Sequence, residues 1–286
     1  MDAPTVSLRV IRTNDADEVS KFLHTHLNRR VPPAAWAELI QPPWADNVGP
    51  NHGFQLVDSD NRTVGVYLAV YSTGYDGRPA VCNLAAFCVL EEHRPHSLRL
   101  IRALLRQKGY VFTDLSPSGI VPTLNERLGF HDLDTATRLV LNMPGRARGV
   151  VVTDRPAALE KTLVGRDAII YHDHQRAAAA QHALVVHEDG YAYLIYRRDR
   201  RKRLPLFASP LYVGGSAAVL KSTWPAMGSH LLRRGLPATL AERRILGFTP
   251  GGPGLALARP RRKMYRGAAG AGEVDYLYSE LTLLRW

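Results

Sequence analysis

The hydrophobic pattern of the first half of the chain changes repeatedly between the period of a strand and that of a helix. Residues 6–12 alternate as a strand does, and Val19, Phe22 and Leu23 then mark one face of a helix. A second short helix is predicted to open at Pro32. The following segments predict a hairpin of two strands, a central strand, a helix, a strand, a short helix and a strand, at residues 52–58, 63–71, 81–90, 96–108, 110–113, 120–128 and 137–141.

The central strand and the helix after it form the most informative stretch. Residues 81–90 are a near-continuous apolar run, which is typical of a buried strand. The turn after it, residues 91–97, carries Arg94 and a proline suited to a first helical turn. The buried face of the helix is predicted at Leu98, Ile101, Leu104 and Leu105. Because N–H groups at a helix N-terminus lack intrahelical partners and the dipole favours negative charge, this stretch predicts a binding site for a phosphate-bearing cofactor.

The second half repeats this order loosely after a linker at residues 144–149. Its pattern first predicts a strand at 150–152, a helix at 156–163, a strand at 168–171, an alanine-rich helix at 175–182 and a hairpin at 183–187 and 191–196. It then predicts strands at 204–209 and 211–215, a helix at 216–234 whose second portion Pro225 starts or kinks, a loop-like tail and a closing strand at 274–284. We therefore predict two domains in tandem, 1–143 and 150–286. The second is a degenerate copy that keeps only Gly214–Gly215–Ser216 at its turn.

The order of elements over residues 6–143 resembles that of the GNAT superfamily of acyl-CoA-dependent N-acyltransferases. Two stretches carry the resemblance. Residues 89–99 are similar to the family's phosphate turn, with Arg94 at the arginine position, and residues 118–130 are similar to its late helix ending in Leu-Gly-Phe. The fold that the resemblance implies is α/β: a twisted, mainly antiparallel mixed sheet flanked by helices, in two such domains.

The resemblance also implies the co-substrate, acyl-CoA, with acetyl-CoA as the expected donor. Its thioester would lie beside Phe87, Cys88 and Val89. Its pyrophosphate would lie over residues Arg94, Pro95, His96, Ser97, Leu98 and Arg99. Ser97 and Arg99 stand where the family has small residues, so Arg99 either turns its side chain outward or grips a phosphate itself.

Acylation of an amine requires a group that removes its proton. The acidic and imidazole groups available are Glu91, Glu92, His93 and Asp114. Glu91 and Glu92 are more simply surface acids, whereas Asp114 and Ser116 end the strand beside the expected gap. Asp114 could instead cap its turn through Ser118. Asn125 stands where many relatives carry a tyrosine that protonates the leaving thiolate; we take Asp114, Ser116 and Asn125 as the candidate catalytic residues.

The charge of the chain bears on which partners it can bind. The net charge of +11 would attract anions. However, the arginine-rich composition of the whole chain explains this charge more simply than a dedicated polyanion-binding surface does. Six of the seven residues 197–203 are basic, which predicts a solvated hairpin tip or, alternatively, an anion contact. Because this run has no interleaved aromatic residues and no nucleic-acid motif is present, a nucleic-acid partner is not expected.

Cys82 and Cys88 lie on one predicted strand, about 20 Å apart, so they are expected to be core thiols and not a disulfide. His172 and His174 have a spacing that suits zinc, but no third ligand is evident, and no metal is predicted. No apolar stretch is long enough to cross a bilayer and no signal-peptide layout is present, so we expect a cytoplasmic protein.

Two classes of function follow. The first is an N-acyltransferase acting on an amine of a small molecule, an amino sugar or an amino acid. The second is a non-catalytic protein that binds acyl-CoA or a polyanionic partner.

Overall fold

A computed structural model describes residues 6–44, 49–74, 79–201, 204–268 and 270–285. The chain divides into two compact units. The first contains Met1–Leu133, Arg262–Val274 and Tyr278–Leu284, and the second contains Asp134–Arg261, Asp275–Leu277 and Arg285–Trp286. This division differs from the predicted boundaries of 1–143 and 150–286, because each unit takes segments from both halves of the sequence.

The strands are, in chain order, β1 (Ser7–Val10), β2 (Gly53–Val57), β3 (Thr63–Ser72), β4 (Ala80–Val89), β5 (Tyr110–Asp114), β6 (His131–Asp132), β7 (Thr137–Leu141), β8 (Val151–Thr153), β9 (Gln181–His187), β10 (Gly190–Arg201), β11 (Leu204–Gly215), β12 (Ala238–Glu242), β13 (Gly254–Ala256) and β14 (Met264–Arg266).

The helices are α1 (Ala16–His26), α2 (Pro33–Ala37), α3 (Ser97–Leu105), α4 (Val121–Arg127), α5 (Pro156–Thr162), α6 (Gly165–His174), α7 (Ala217–Ser222), α8 (Trp224–Arg233), α9 (Arg243–Leu246) and α10 (Glu280–Leu283). Short 3-10 helices cover Thr13–Asp15, Glu91–His96 and Ala271–Glu273. Within the described ranges, no helix has the length and apolar character needed to cross a membrane.

The first unit is built on a 7-stranded sheet in the order β1-β2-β3-β4-β5-β14-β6. Neighbouring strands are antiparallel except β4 and β5, which are parallel. The predicted strands and helices before residue 128 are confirmed, with Val19, Phe22 and Leu23 buried on α1. The predicted face of α3 is wrong in one respect. Leu98 is 39% exposed, and Leu100 is buried in its place, together with Ile101 and Leu104.

The second unit contains a 7-stranded sheet in the order β13-β7-β12-β11-β10-β9-β8. Read from β8, its pairing directions match those of the first sheet, with β11 and β12 as the parallel pair. The strand predicted at 137–141 forms, as β7, but it does not complete the first sheet. Val140 is buried in the core of the second unit and pairs with Thr239 of β12. β14 takes the corresponding place in the first sheet.

Several predictions for the second half are wrong. The segment predicted as a strand at 168–171 lies in α6, because Asp167, Ile170, Tyr171 and His174 are buried at helical spacing while Ile169 is 63% exposed. The helix predicted at 175–182 is a turn that leads into β9.

The last third of the chain also differs in detail from the prediction. The strands predicted at 204–209 and 211–215 are one strand, β11, and the loop-like tail contains β13 and β14. The closing strand predicted at 274–284 contains the helix α10. The predicted break at Pro225 is confirmed, since α7 ends at Ser222 and α8 begins at Trp224. The basic run continues β10 to Arg201; Lys202 and Arg203 lie outside the described residues.

Candidate functional site

Strands β4 and β5 pair over only part of their length. Their parallel register runs from Ala80 opposite Tyr110 to Asn83 opposite Thr113, while β4 continues to Val89. In the described part of the chain, no strand pairs with this side of β4 beyond Asn83. The backbone of β4 on the side of β5 therefore lacks a described strand partner beyond Asn83, which makes the gap between the two strands a candidate site.

A β-bulge at Ala86 lies within the open part of β4. The register with β3 shifts there, since Tyr67 faces Phe87 but Leu68 faces Ala85. Ala86 has a φ of 52°, a left-handed conformation that costs an alanine about 1–2 kcal/mol. Bulges of this kind re-aim side chains and end pairing, and they are common beside active sites. The bulge therefore marks the position where β4 presents its backbone to the gap.

The residues predicted to line the thioester, Phe87, Cys88 and Val89, are half-buried on this stretch. The Phe87 ring lies 4.6 Å, between ring centroids, from that of Tyr67. Burial raises the pKa of Cys88 to about 11, so its thiol remains protonated at neutral pH. Because the thiolate is the nucleophilic form of cysteine, this environment disfavours Cys88 as a nucleophile.

The predicted phosphate turn is a 3-10 helix, Glu91–His96, which runs directly into α3. Arg94 is exposed, and its Nη1 lies 3.3 Å from Oε1 of Glu91, itself exposed. An exposed ion pair of this kind contributes little stability, so Arg94 can exchange Glu91 for a phosphate at little cost.

The other residues predicted at the turn differ in their exposure to solvent and in whether the protein already binds their side chains. Pro95 and Leu98 are exposed, and His96 and Ser97 are half-buried. Arg99 donates from Nη1 to the carbonyl oxygen of Val6 at 2.6 Å, so its guanidinium is engaged by the protein in this conformation. Arg94 and Ser97 are therefore the residues of this turn best placed to hold a phosphate.

The three predicted catalytic residues lie together at the end of β5. Asn125 Nδ2 donates to Oδ2 of Asp114 at 2.8 Å, and the backbone N–H of Ser116 also donates to Asp114. Asp114 and Asn125 are 4% and 1% exposed. Asp114 thus caps its turn through the N–H of Ser116, whereas Ser118 was the partner considered from the sequence. Asn125, which stands where many members of the resembled family have a tyrosine, thus orients the carboxyl group of Asp114.

A fourth residue of this cluster, Glu280, was not predicted. Its Oε2 accepts from Asn83 Nδ2 at 2.5 Å, and its Oε1 accepts from Ser116 Oγ at 2.7 Å. Thr113 Oγ1 donates to Oδ1 of Asn83 at 2.9 Å. Glu280 is 164 residues from Ser116 along the chain, and its segment was predicted to be a strand. A serine before an apolar helix is the one local signal, since the Ser279 side chain caps α10.

Burial determines the electrostatics of the cluster. It raises the pKa of Asp114 to about 7, and the charge of Glu280 acts in the same direction, whereas the bonds from Asn125 and Ser116 oppose the shift. The pKa of Tyr67 is raised well above its usual value by burial and then by Asp114, so its hydroxyl stays neutral. Asp114 is therefore able to exchange a proton near neutral pH.

The remaining candidates do not join this cluster. Glu91 and Glu92 are exposed on the 3-10 helix, and His93 is buried within it. In the second unit, His172 is exposed, whereas His174 is buried with Nδ1 2.9 Å from the carbonyl oxygen of Ile170. No group of three or more His, Cys, Asp or Glu side chains that could hold a metal ion occurs among the residues described.

The second unit repeats the geometry of the gap. The parallel pairing of β11 and β12 ends at Ala208 opposite Thr239. A bulge follows at Leu211, where the register with β10 shifts. The interval from the last parallel pair to the bulge is the same as that from Asn83 to Ala86 in the first unit.

The turn that follows in the second unit is occupied by a carboxylate of the protein. Asp167 accepts from Tyr191 Oη at 2.7 Å, from Tyr212 Oη at 2.7 Å and from the backbone N–H of Gly215 at 2.8 Å. A Cβ at Gly214 would lie 2.1 Å from Asp167 Oδ1, which explains the glycine. The N–H group that a phosphate would use is thus already bonded to a side chain of the protein.

No family model matches this sequence, and no curated protein matches it either. Solved structures do resemble its fold. A suggested acetyltransferase from Pyrococcus horikoshii has 14% identity and a TM-score of 0.54, with 98% of this chain and 94% of that chain covered.

Two GCN5-related N-acetyltransferases, from Anabaena variabilis and Kribbella flavida, have 12% and 15% identity and TM-scores of 0.59 and 0.55. In both cases 92% of this chain and 72% of the other chain are covered. At such identities the likeness concerns the fold. The chain has the fold of the GCN5-related N-acetyltransferases, the GNAT superfamily.

Proposed function

We propose that the first unit binds an acyl-CoA, with acetyl-CoA the expected donor, and transfers its acyl group to an amine of a small molecule, an amino sugar or an amino acid. The gap between β4 and β5, with the bulge at Ala86 on one side and Asp114 on the other, is the observation that carries the proposal. The GNAT fold of the chain supports the same reaction class. One strand would hold the acyl group, and the other supplies a proton-exchanging side chain.

The residues on this side of the sheet fit an acyl-CoA. The half-buried side chains of Phe87, Cys88 and Val89 would line the acyl and pantetheine portion. Arg94 and the N-terminus of the nine-residue α3 at Ser97 would hold the pyrophosphate. Acyl-CoA supplies the activated acyl group as a thioester.

The protein's contribution to transfer is to position the reactants and move protons. Backbone N–H groups on the open side of β4 can donate to the carbonyl oxygen as negative charge develops there. Asp114 gives its proton to the departing sulfur and takes up the proton that the amine nitrogen releases, so no net proton is gained or lost. The carboxyl group would perform the acid step that Asn125, as an amide, cannot perform.

The second unit, in this proposal, is a degenerate copy that does not bind the co-substrate. Asp167 already accepts the N–H of Gly215 and would repel a phosphate at that turn.

Binding is tested by thermal shift with acetyl-CoA and with desulfo-CoA. We expect both to raise the melting temperature of the wild type, and the Arg94→Glu variant to lose the shift because its side chain would repel the pyrophosphate. Arg106→Glu makes the same charge change just beyond the other end of α3 and serves as the control. A shift that persists in Arg94→Glu would place the CoA site elsewhere.

Turnover is tested by release of free CoA thiol from acetyl-CoA with glucosamine, lysine and benzylamine as acceptors. Release above background with an amine supports the transferase.

The near-complete burial of Asp114 and Asn125 favours the second candidate, a protein that binds acyl-CoA or a polyanionic partner without turnover. Binding without thiol release from any acceptor would decide for that candidate.

A further inference from the structure

The C-terminal helix α10 supplies a buried carboxylate to the gap of the first unit. Glu280 is the first residue of this helix and is 1% exposed. Ser279 caps the helix by accepting from the N–H of Leu281, and Leu283 and Leu284 are fully buried. These contacts hold the Glu280 backbone in place, so its side chain reaches the sheet from a fixed base.

Glu280 contacts both strands that border the gap. One of its oxygens accepts from Asn83, the last β4 residue in the parallel register, and the other accepts from Ser116, just after β5. Asn83 is in turn bonded to Thr113. The carboxylate therefore spans the two strands at the point where they separate.

Ser116 links the two carboxyl groups. Its hydroxyl donates to Glu280, and its backbone N–H donates to Asp114. A change in the position of Glu280 is therefore transmitted to the backbone group that orients Asp114. Among the described residues, Tyr67 on β3 is coupled to both carboxyl groups and to Cys82 on β4; burial raises the pKa of Tyr67 well above its usual value and that of Cys82 to about 12. Both groups stay neutral across the neutral range, and the proximity of Glu280 is one of the causes that raise the pKa of Asp114.

We propose that Glu280 is a positioning residue of the candidate acyl-transfer site, which through its bond to Ser116 orients the Asp114 carboxyl group. This inference rests on the proposed function for its role in catalysis, but the coupling of the two carboxyl groups is a property of the structure by itself. It makes the C-terminal segment part of the site. The proton held on Asp114 is the one delivered to the departing sulfur and replaced from the amine.

The coupling is tested by following the Asp114 side-chain carboxyl with ¹³C NMR from pH 4 to pH 9. In Glu280→Gln we expect the midpoint to fall by about one pH unit, because a neighbouring like charge is removed. Glu280→Asp, which keeps the charge, should restore most of the shift. Glu273→Gln removes an exposed charge in the same C-terminal segment and should leave the midpoint unchanged. An unchanged midpoint in Glu280→Gln overturns the inference.

Should Glu280→Gln fail to fold, Ser116→Ala gives the same decision, because it removes the hydroxyl bond to Glu280 and keeps the backbone N–H. We then expect the Asp114 midpoint to move, and no movement overturns the inference.

The thiol-release assay separates the two proposals. If the midpoint moves and wild type shows no turnover, the coupling holds and the proposed function fails. If wild type turns over, the high-pH limb of the activity profile, where Asp114 loses its proton, should move to lower pH in Glu280→Gln together with the midpoint.

Discussion

Asp114 is buried with a pKa of about 7 against an ordinary value of 3.8, and this difference can be measured as a pH dependence of stability. Below about pH 4 the side chain is protonated in both the folded and the unfolded chain. Between about pH 4 and 7 the unfolded chain releases the proton while the folded chain retains it. The folded state then binds more protons, so its stability falls as the pH rises through this window.

The magnitude follows from the size of the shift. About three pH units, at 1.36 kcal/mol each, correspond to about 4 kcal/mol of stability lost between pH 4 and pH 8. The Asp114→Asn variant does not titrate, and its side-chain oxygen can still accept from Asn125. Relative to wild type, it should therefore gain up to about 4 kcal/mol over the same interval.

The assay is urea unfolding followed by circular dichroism at unit steps from pH 4 to pH 8, for wild type and variant. Taking the difference in unfolding free energy at each pH cancels the groups that the two proteins share. The same variant should lose thiol release, because an amide cannot exchange the proton. Parallel stability curves for the two proteins would refute the reasoning, since Asp114 would then not titrate within this window.

Two further predictions concern the two gaps. Ala86→Val should cost about 1–2 kcal/mol in urea unfolding, because a β-branched residue fits the left-handed bulge poorly, whereas Ala86→Gly should stay within about 0.5 kcal/mol; equal stabilities of the two variants would argue against the bulge. Asp167→Ala leaves the buried Tyr212 hydroxyl, the half-buried Tyr191 hydroxyl and the Gly215 N–H without their shared acceptor and should cost about 1–3 kcal/mol. The exposed Asp189→Ala, measured in the same way, should cost about 0.5 kcal/mol or less. A small effect at Asp167 would mean that the tyrosine hydroxyls find other partners.

Local sequence patterns were sufficient to predict the secondary structure on which most residues of the candidate site lie. The apolar run of β4, the turn with Arg94 and the end of β5 at Asp114 each have a local signature, and Asn125 lies in a helix with a recognisable end. Glu280 has no such signature, because its role depends on a contact between distant parts of the chain.

The errors in the second unit have the same origin. Ala168, Ile169 and Ile170 form an apolar run that reads as a strand, but only tertiary packing decides that Ile169 faces solvent and that the segment is helical. Strand β7 was predicted correctly as a strand, yet nothing within its five residues indicates that β12, and not β5, is its neighbour. Pairing between distant strands is a property of the whole fold and has no local code.

The placement of β7 and β14 has a consequence for how the protein can be divided. Each sheet has, beside its fifth strand, a strand encoded in the other half of the gene. A fragment ending at the linker near residue 144 would lack β14, so that β5 and β6 would present unpaired backbone edges of the kind that drive aggregation. The covalent midpoint of the chain is thus not a boundary at which it can be cut, and the two halves of the sequence are interdependent in folding even though each contributes most of one sheet.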